Sequence, residues 1–127
     1  MQTPPATVPL NFFRALRQKR YDQAWKHLSN YSQRVFLETL FKSLKPDSCS
    51  LERLQDDFAK GTSWAAHYWD DFSQHLQLDT WLSQQYKEYG ASQKQILVLA
   101  QPANLYLLVI EEAGDWRFGY FETFLDN

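Results

Sequence analysis

The sequence predicts an α+β domain in which N-terminal helices pack on a C-terminal antiparallel β-meander. Residues 9–90 have the apolar spacing and capping residues of successive helices, and residues 95–124 have the aliphatic and aromatic runs of strands. Helices followed by strands are typical of an α+β domain with segregated layers. At 127 residues the chain is most simply a single domain, 1–127, in which we expect residues 1–8 to be frayed.

Successive helices are predicted from near Pro9 onwards, each from a capping residue and an apolar stripe. The predicted N-caps of the later helices are Asp22, Ser32, Ser50, Thr62 or Ser63, and Asp79. The helix after Ser32 must end before Pro46, because the residue preceding a proline is disfavoured in helical geometry. Gly61 is placed to end the helix after Ser50. The last helix is predicted to end at Gly90, with Leu82, Tyr86 and Tyr89 on one side.

Three strands are predicted at the C-terminal end: Gln95–Gln101, Asn104–Glu112 and Trp116–Phe124. Pro102 lies between the first two and marks a turn, because proline cannot donate to a central ladder. The connections are short, which favours an antiparallel meander.

The middle strand is apolar on both of its faces. One face carries Leu105, Leu107 and Val109, and the other carries Tyr106, Leu108 and Ile110. A sheet with one buried face alternates apolar with polar residues. Either helices cover both faces, or the second face packs against another subunit, and we expect a homodimer through a sheet face.

Composition and charge favour some classes of partner over others. The net charge of −2, from 13 basic and 15 acidic residues, argues against a nucleic-acid-binding protein. The single cysteine, Cys49, cannot form an internal disulfide or a multi-cysteine metal site, and it suits a cytoplasmic location. No apolar run approaches the roughly 20 residues that cross a bilayer, so we expect a soluble protein without a membrane partner.

Two parts of the sequence resemble the nuclear transport factor 2-like (NTF2-like) superfamily of α+β cone folds. Phe13–Leu16 followed by Tyr21–Leu28 is similar to the helix–turn–helix that opens many such domains, and Glu112–Phe121 resembles their closing hairpin. The resemblance implies a conical, often apolar pocket between bent sheet and helices, and dimerisation through the sheet. It implies no particular chemistry, because the fold hosts enzymes and non-enzymes. Members have more strands than the three predicted here.

Polar residues that could carry chemistry lie between residues 64 and 75. Asp71 follows His67 by four residues and precedes His75 by four, so either histidine could pair with it on a helix. A carboxylate that orients an imidazole would supply a general base. The alternative is that these residues form the solvated flank of an apolar stripe. No metal or cofactor is expected.

Aromatic residues make up 17% of the chain, which is enough for some of them to line a cavity or an interface. In a ligand pocket, Arg117 could hold an anionic group. The predicted ligand-binding residues are Trp64, Tyr68, Trp69, Tyr106, Arg117 and Tyr120.

The sequence therefore leaves two functions open. The first is a non-catalytic module that binds a small apolar ligand or a protein partner in or beside an aromatic-lined pocket. The alternative is a lyase- or isomerase-type enzyme that uses Asp71 with His67 or His75. An imidazole directed inward, toward the sheet, would favour the enzyme.

Overall fold

A computed structural model describes residues 4–45 and 48–124, and it confirms the α+β fold class. The helices are a 3-10 turn (Pro5–Thr7), α1 (Val8–Arg17), α2 (Tyr21–Lys26), α3 (Asn30–Ser43), α4 (Leu51–Lys60), α5 (Ser63–His75), α6 (Leu78–Leu82) and α7 (Tyr120–Phe124). The strands are β1 (Gln85–Ser92), β2 (Gln95–Gln101), β3 (Leu105–Glu112) and β4 (Asp115–Gly119). Residues 1–3 of the segment expected to be frayed lie outside the described residues, whereas Pro5–Thr7 are helical.

The strands form one antiparallel sheet in the order β1-β2-β3-β4. The free edge of β4 is covered by the connection between α2 and α3: Ser29 N donates to Phe118 O at 2.9 Å, and Phe118 N donates to His27 O at 2.5 Å. The predicted strands that became β2 and β3 are confirmed, and so is the meander that joins them.

The prediction of a last helix from Asp79 to Gly90 is wrong. Helix α6 begins after Gln77 and ends at Leu82, and Gln85–Ser92 then forms strand β1. The spacing of the aromatic residues in this segment fits a helix, but β1 pairs with β2 from Gln85 to Ser92, interrupted only by a bulge between Glu88 and Gly90. The main-chain hydrogen bonds of that pairing outweigh a local pattern that is only weakly helical.

The prediction of a strand through Phe124 is also wrong, because β4 ends at Gly119 and Tyr120–Phe124 is α7. A Cβ at Gly119 would lie 3.2 Å from Ile110 Cδ1, so the chain makes a close approach at that point. Beyond it, Leu108 N donates to Thr123 Oγ1 at 2.8 Å. The hydroxyl group of Thr123, on α7, thus accepts the main-chain hydrogen bond from β3 that a further residue of β4 would otherwise accept.

The predicted ends of α4 are confirmed. Ser50 is the N-cap and accepts from Arg53 N at 3.1 Å, and Gly61 ends the helix with φ +69°. Thr62 is the N-cap of α5. Helix α3 ends at Ser43, before Pro46, which lies outside the described residues.

Three predicted caps are wrong. Asp79 lies in the first turn of α6, whose N-cap is Gln77. Asp22 lies in the first turn of α2, whose N-cap is Arg20. Ser32 lies inside α3, whose N-cap is Ser29; Ser29 Oγ accepts from Ser32 N at 3.1 Å. Asp22 and Asp79 lie two residues past the true cap and Ser32 lies three residues past it, an error common at helix boundaries.

Aromatic side chains fill the space between the helices and one face of the sheet, which we call the inner face. The largest fully buried side chains there are Trp69, Phe12, Phe13, Phe36, Phe58 and Phe118. Neighbouring rings have centroids 4.4 to 6.3 Å apart, the spacing of packed aromatic pairs. The aromatic abundance of the sequence is therefore used largely to build the core.

Candidate functional site

The predicted catalytic residues lie on the solvent side of α5. His67, Asp71 and His75 are all exposed, so neither imidazole is directed toward the sheet. The Nδ1 atom of His75 lies 2.9 Å from the main-chain carbonyl oxygen of Asp71, a partner that any residue at that position would supply. This arrangement favours the solvated-flank interpretation.

The predicted ligand-binding residues of α5 and α7 belong mostly to the core. Trp69 is fully buried, with its ring 4.9 Å from that of Phe36, and the Phe36 ring is in turn 5.5 Å from that of Tyr120. Burial raises the pKa of Tyr68 to about 12 and also raises the pKa of Tyr120. Trp64 remains 37% exposed at the start of α5. Packing, rather than an enclosed pocket, accounts for the environment of Trp69 and Tyr120.

Arg117 lies on β4, where Nη1 donates to Lys26 O at 2.5 Å and Nη2 is 3.7 Å from the Asp115 carboxylate. The same arginine is close to His27, which the sequence analysis did not single out. Burial, and then the charge of Arg117, lower the pKa of His27 below 6.5. The Arg117 side chain connects β4 to the end of α2, because its guanidinium is already bonded to the main-chain carbonyl of Lys26.

The face of the sheet opposite the aromatic core, which we call the outer face, is apolar and partly exposed, although Leu99 on it is only 6% exposed. The strand register identifies the side chains of this face, because it places Leu99 opposite Tyr106 and Leu97 opposite Leu108. Tyr106 is 44% exposed and Leu97 is 39% exposed. Tyr89, on β1, is 61% exposed and packs on Tyr106 with ring centroids 4.8 Å apart. Tyr89 and Tyr106 form a raised aromatic pair on this face.

Beside the aromatic pair is a depression centred on Gly90. Gly90 is paired with Leu97, and a Cβ built on Gly90 would meet no atom within 4 Å. The depression has a volume of about 300 Å³. Its lining residues are Gly90, Ala91, Ser92, Gln95, Leu97 and Leu108. Only one of these six, Gln95, has a large polar side chain.

Part of this surface was predictable from the sequence. The two-sided apolar pattern of β3 and the selection of Tyr106 pointed to it, whereas Tyr89 and Gly90 were assigned to a helix. A bulge in β1 between Glu88 and Gly90 shifts the strand register beside Tyr89. A bulge of this kind depends on pairing with β2 and has no reliable sequence signal.

Two further features are absent from the described part of the chain. In residues 4–45 and 48–124, no group of three or more His, Cys, Asp or Glu side chains is arranged to hold a metal ion. Among the same residues, no helix is long and apolar enough to cross a membrane.

The comparisons with known proteins add no relative. No protein-family model, no curated protein and no solved structure matches the chain.

Proposed function

We propose that this protein is a non-catalytic interaction module that forms a homodimer through the outer face of its sheet. One observation carries the proposal: Tyr89, Leu97 and Tyr106 present exposed apolar surface together on one sheet face. Single exposed apolar residues need no explanation, but a contiguous patch marks an interaction site in many soluble proteins.

A second copy of the chain fits this face because the face is self-complementary. In a two-fold symmetric dimer the same patch meets itself, so each raised feature needs a recess on the same patch. The Tyr89–Tyr106 pair is the raised feature, and the depression at Gly90 is the recess next to it. Two sheets packed face to face would then exclude water from both patches.

The geometry favours the sheet face over the sheet edge as the interface. Strand β1 is the open edge, but it contains the bulge at Tyr89 and carries Lys87. Bulges and edge lysines are common devices against edge-to-edge pairing. The apolar surface is also on the face, where Leu97 and Tyr106 lie.

A small apolar ligand is the second candidate, and the depression at Gly90 is the observation that favours it. Its volume of about 300 Å³ is at the lower end for ligand pockets. We place such binding on the outer face rather than in the interior, because the aromatic rings of the interior are packed against one another.

Two finer assignments accompany the proposal. Membership of the NTF2-like superfamily is supported by the order of helices before an antiparallel sheet and by an apolar sheet face suited to dimerisation. A cytoplasmic location is supported by the free thiol of Cys49.

Sedimentation velocity over a range of concentrations tests the dimer. Tyr106→Ser removes an aromatic side chain of which 44% is exposed, and a two-fold interface loses it twice. Because buried area converts only partly into affinity, we expect dimerisation to weaken by about 10-fold or more. Gly90→Val adds side-chain atoms at the depression, where a Cβ would meet no atom within 4 Å, and should weaken dimerisation while leaving the monomer folded.

Tyr31→Ser is the matched control, because Tyr31 is 47% exposed but lies on α3. It should leave dimerisation unchanged. A wild-type chain that stays monomeric throughout the range, or equal effects of Tyr31→Ser and Tyr106→Ser, would overturn the proposal. A monomer that binds an apolar dye, with binding lost in Gly90→Val, would support the small-ligand candidate instead.

A further inference from the structure

A second concave surface, which we call the polar groove, lies between the C-terminal end of α1 and the connection from α5 to α6. It has a volume of about 680 Å³. Its lining residues are Leu16, Arg17, Lys19, Tyr21, Asp70, Ser73, Gln74, Gln77, Leu78, Asp79 and Thr80. Leu16 and Leu78 are buried and form an apolar base, and the other lining side chains are polar.

The charges of the polar groove are separated by side. Arg17 and Lys19 come from α1 and the turn that follows it, whereas Asp70 and Asp79 come from α5 and α6. One side of the groove is therefore cationic and the other is anionic. A simple anion or a simple cation would meet an unfavourable charge on one side, but a ligand that carries both charges would be matched on both.

The ion pairs that now join the two sides are exposed and replaceable. Arg17 pairs with Asp79, with the two side chains 49% and 89% exposed. Lys19 Nζ lies 3.8 Å from the Asp70 carboxylate, which also accepts a hydrogen bond from the Tyr21 hydroxyl. Exposed pairs contribute little to stability, so a ligand can exchange its own charges for them at small cost.

One polar atom of the groove has no partner that the fold supplies. The Oγ atom of Ser73 is shielded from solvent and has no hydrogen-bond partner among the described residues. Buried polar atoms without a partner are uncommon in folded proteins. The left-handed φ of 59° at Lys19 and Gln77 has a local cause: Lys19 lies in the C-terminal cap of α1, where Arg20 N donates to Ala15 O at 2.8 Å, and Gln77 is the N-cap of α6.

We propose that the polar groove binds a small zwitterion that carries a carboxylate and an ammonium group, the chemistry of a free α-amino acid. The guanidinium of Arg17 binds the carboxylate through two parallel N–H···O bonds, for which its geometry is suited. Asp79 and Asp70 accept hydrogen bonds from the ammonium group. The groove volume lies within the usual range for small-molecule sites.

An NMR titration of the ¹⁵N-labelled full chain with L-glutamine tests this proposal. Saturable shifts are expected at the amides of Arg17, Lys19 and Gln77, with ammonium acetate as the comparison probe, because it supplies the same two charges on separate molecules. Arg17→Gln and Asp79→Asn should each weaken L-glutamine binding by about 10-fold, since each removes a charge-assisted contact. Both side chains are exposed enough that the variants should fold, which their spectra would show directly.

Arg14→Gln is the matched control, because Arg14 is an exposed cation of α1 that does not line the polar groove. It should bind L-glutamine like the wild type. No saturable shift, equal shifts with ammonium acetate, or equal weakening in Arg14→Gln would overturn the proposal. Sedimentation of Arg17→Gln should match the wild type, so a failure here is distinguishable from a failure of the dimer.

Discussion

Replacing Glu122 by alanine should be among the most destabilising changes possible at a half-buried polar position of this protein. The Glu122 carboxylate accepts hydrogen bonds from Ser29 Oγ at 2.7 Å and from Ser32 Oγ at 2.8 Å. Both serines are fully buried, and Ser32 Oγ also accepts from Phe121 N at 3.0 Å. The network connects α7 to the N-terminal end of α3, and α7 carries rings that pack on the core.

The expected loss in the free energy of unfolding follows from the number of hydroxyl groups that Glu122→Ala leaves without an acceptor. Glu122→Ala leaves two buried donors unpaired, and each costs about 1–3 kcal/mol. Since Glu122 itself is only half-buried, water can replace part of the lost interaction, and we expect a loss of about 2–4 kcal/mol in the free energy of unfolding. For a chain of this size the melting temperature should fall by roughly 10 °C.

Urea unfolding followed by tryptophan fluorescence measures this loss. Glu122→Gln should cost only about 1 kcal/mol, because the amide keeps one acceptor and one serine hydroxyl can turn to accept from its NH₂ group. Glu38→Ala is the control, an exposed glutamate on α3, and should stay within about 0.5 kcal/mol of the wild type. A loss below about 1 kcal/mol for Glu122→Ala would refute the role of this carboxylate in holding α7.

Three further changes test other parts of the fold. Gly61→Ala places a Cβ 2.6 Å from Asp22 N at a positive φ, so it should lower the free energy of unfolding by about 3 kcal/mol in urea titrations. Ser50→Ala removes the side-chain cap of α4 and should cost about 1 kcal/mol by the same measurement. His27→Gln should reduce the loss of stability in mild acid, measured as unfolding free energy between about pH 7 and about pH 5.5, because burial lowers the pKa of His27 in the folded state.

The sign of the His27 effect follows from linkage. The unfolded chain binds a proton at the ordinary histidine pKa of 6.5, whereas the folded chain binds it only at lower pH. The contribution of His27 to the free energy of unfolding is therefore fully present above pH 6.5 and is lost as the pH falls toward the pKa of His27 in the folded chain. A glutamine cannot take up this proton, so an unchanged pH profile in His27→Gln would contradict the argument.

Controls for the other two changes come from the same chain. Gly90→Ala should leave the free energy of unfolding nearly unchanged, because its Cβ would meet no atom within 4 Å. Thr62→Ala should cost less than Ser50→Ala, since Thr62 is an N-cap without a side-chain hydrogen bond to its helix. Equal losses for Gly61→Ala and Gly90→Ala would count against the contact assigned to Gly61. Equal losses for Ser50→Ala and Thr62→Ala would count against the cap assigned to Ser50.

Part of the proposed interface was predictable from the sequence. The alternation of β3 predicted a sheet with two apolar faces, and the aromatic core packs on the inner one; the homodimer itself stays a prediction. Tyr106 was selected for its place in that strand, whereas Tyr89 and Gly90 were missed because their segment was assigned to a helix. The polar groove was missed because Arg17 and Asp79 are 62 residues apart and neither belongs to a motif.

The sequence by itself determined the elements whose signals are local. Ser50 caps α4 through a hydrogen bond three residues along the chain, Gly61 supplies the left-handed residue at its end, and the β-branched and aliphatic runs of β2 and β3 favour strands wherever they pair. The tertiary structure decided β1 and α7. Strand β1 exists because β2 offers it main-chain partners, and α7 is fixed by the bond from Ser29 to Glu122 across 93 residues. No local pattern encodes a partner that far away, because the free energy of the contact appears only when both segments are already folded.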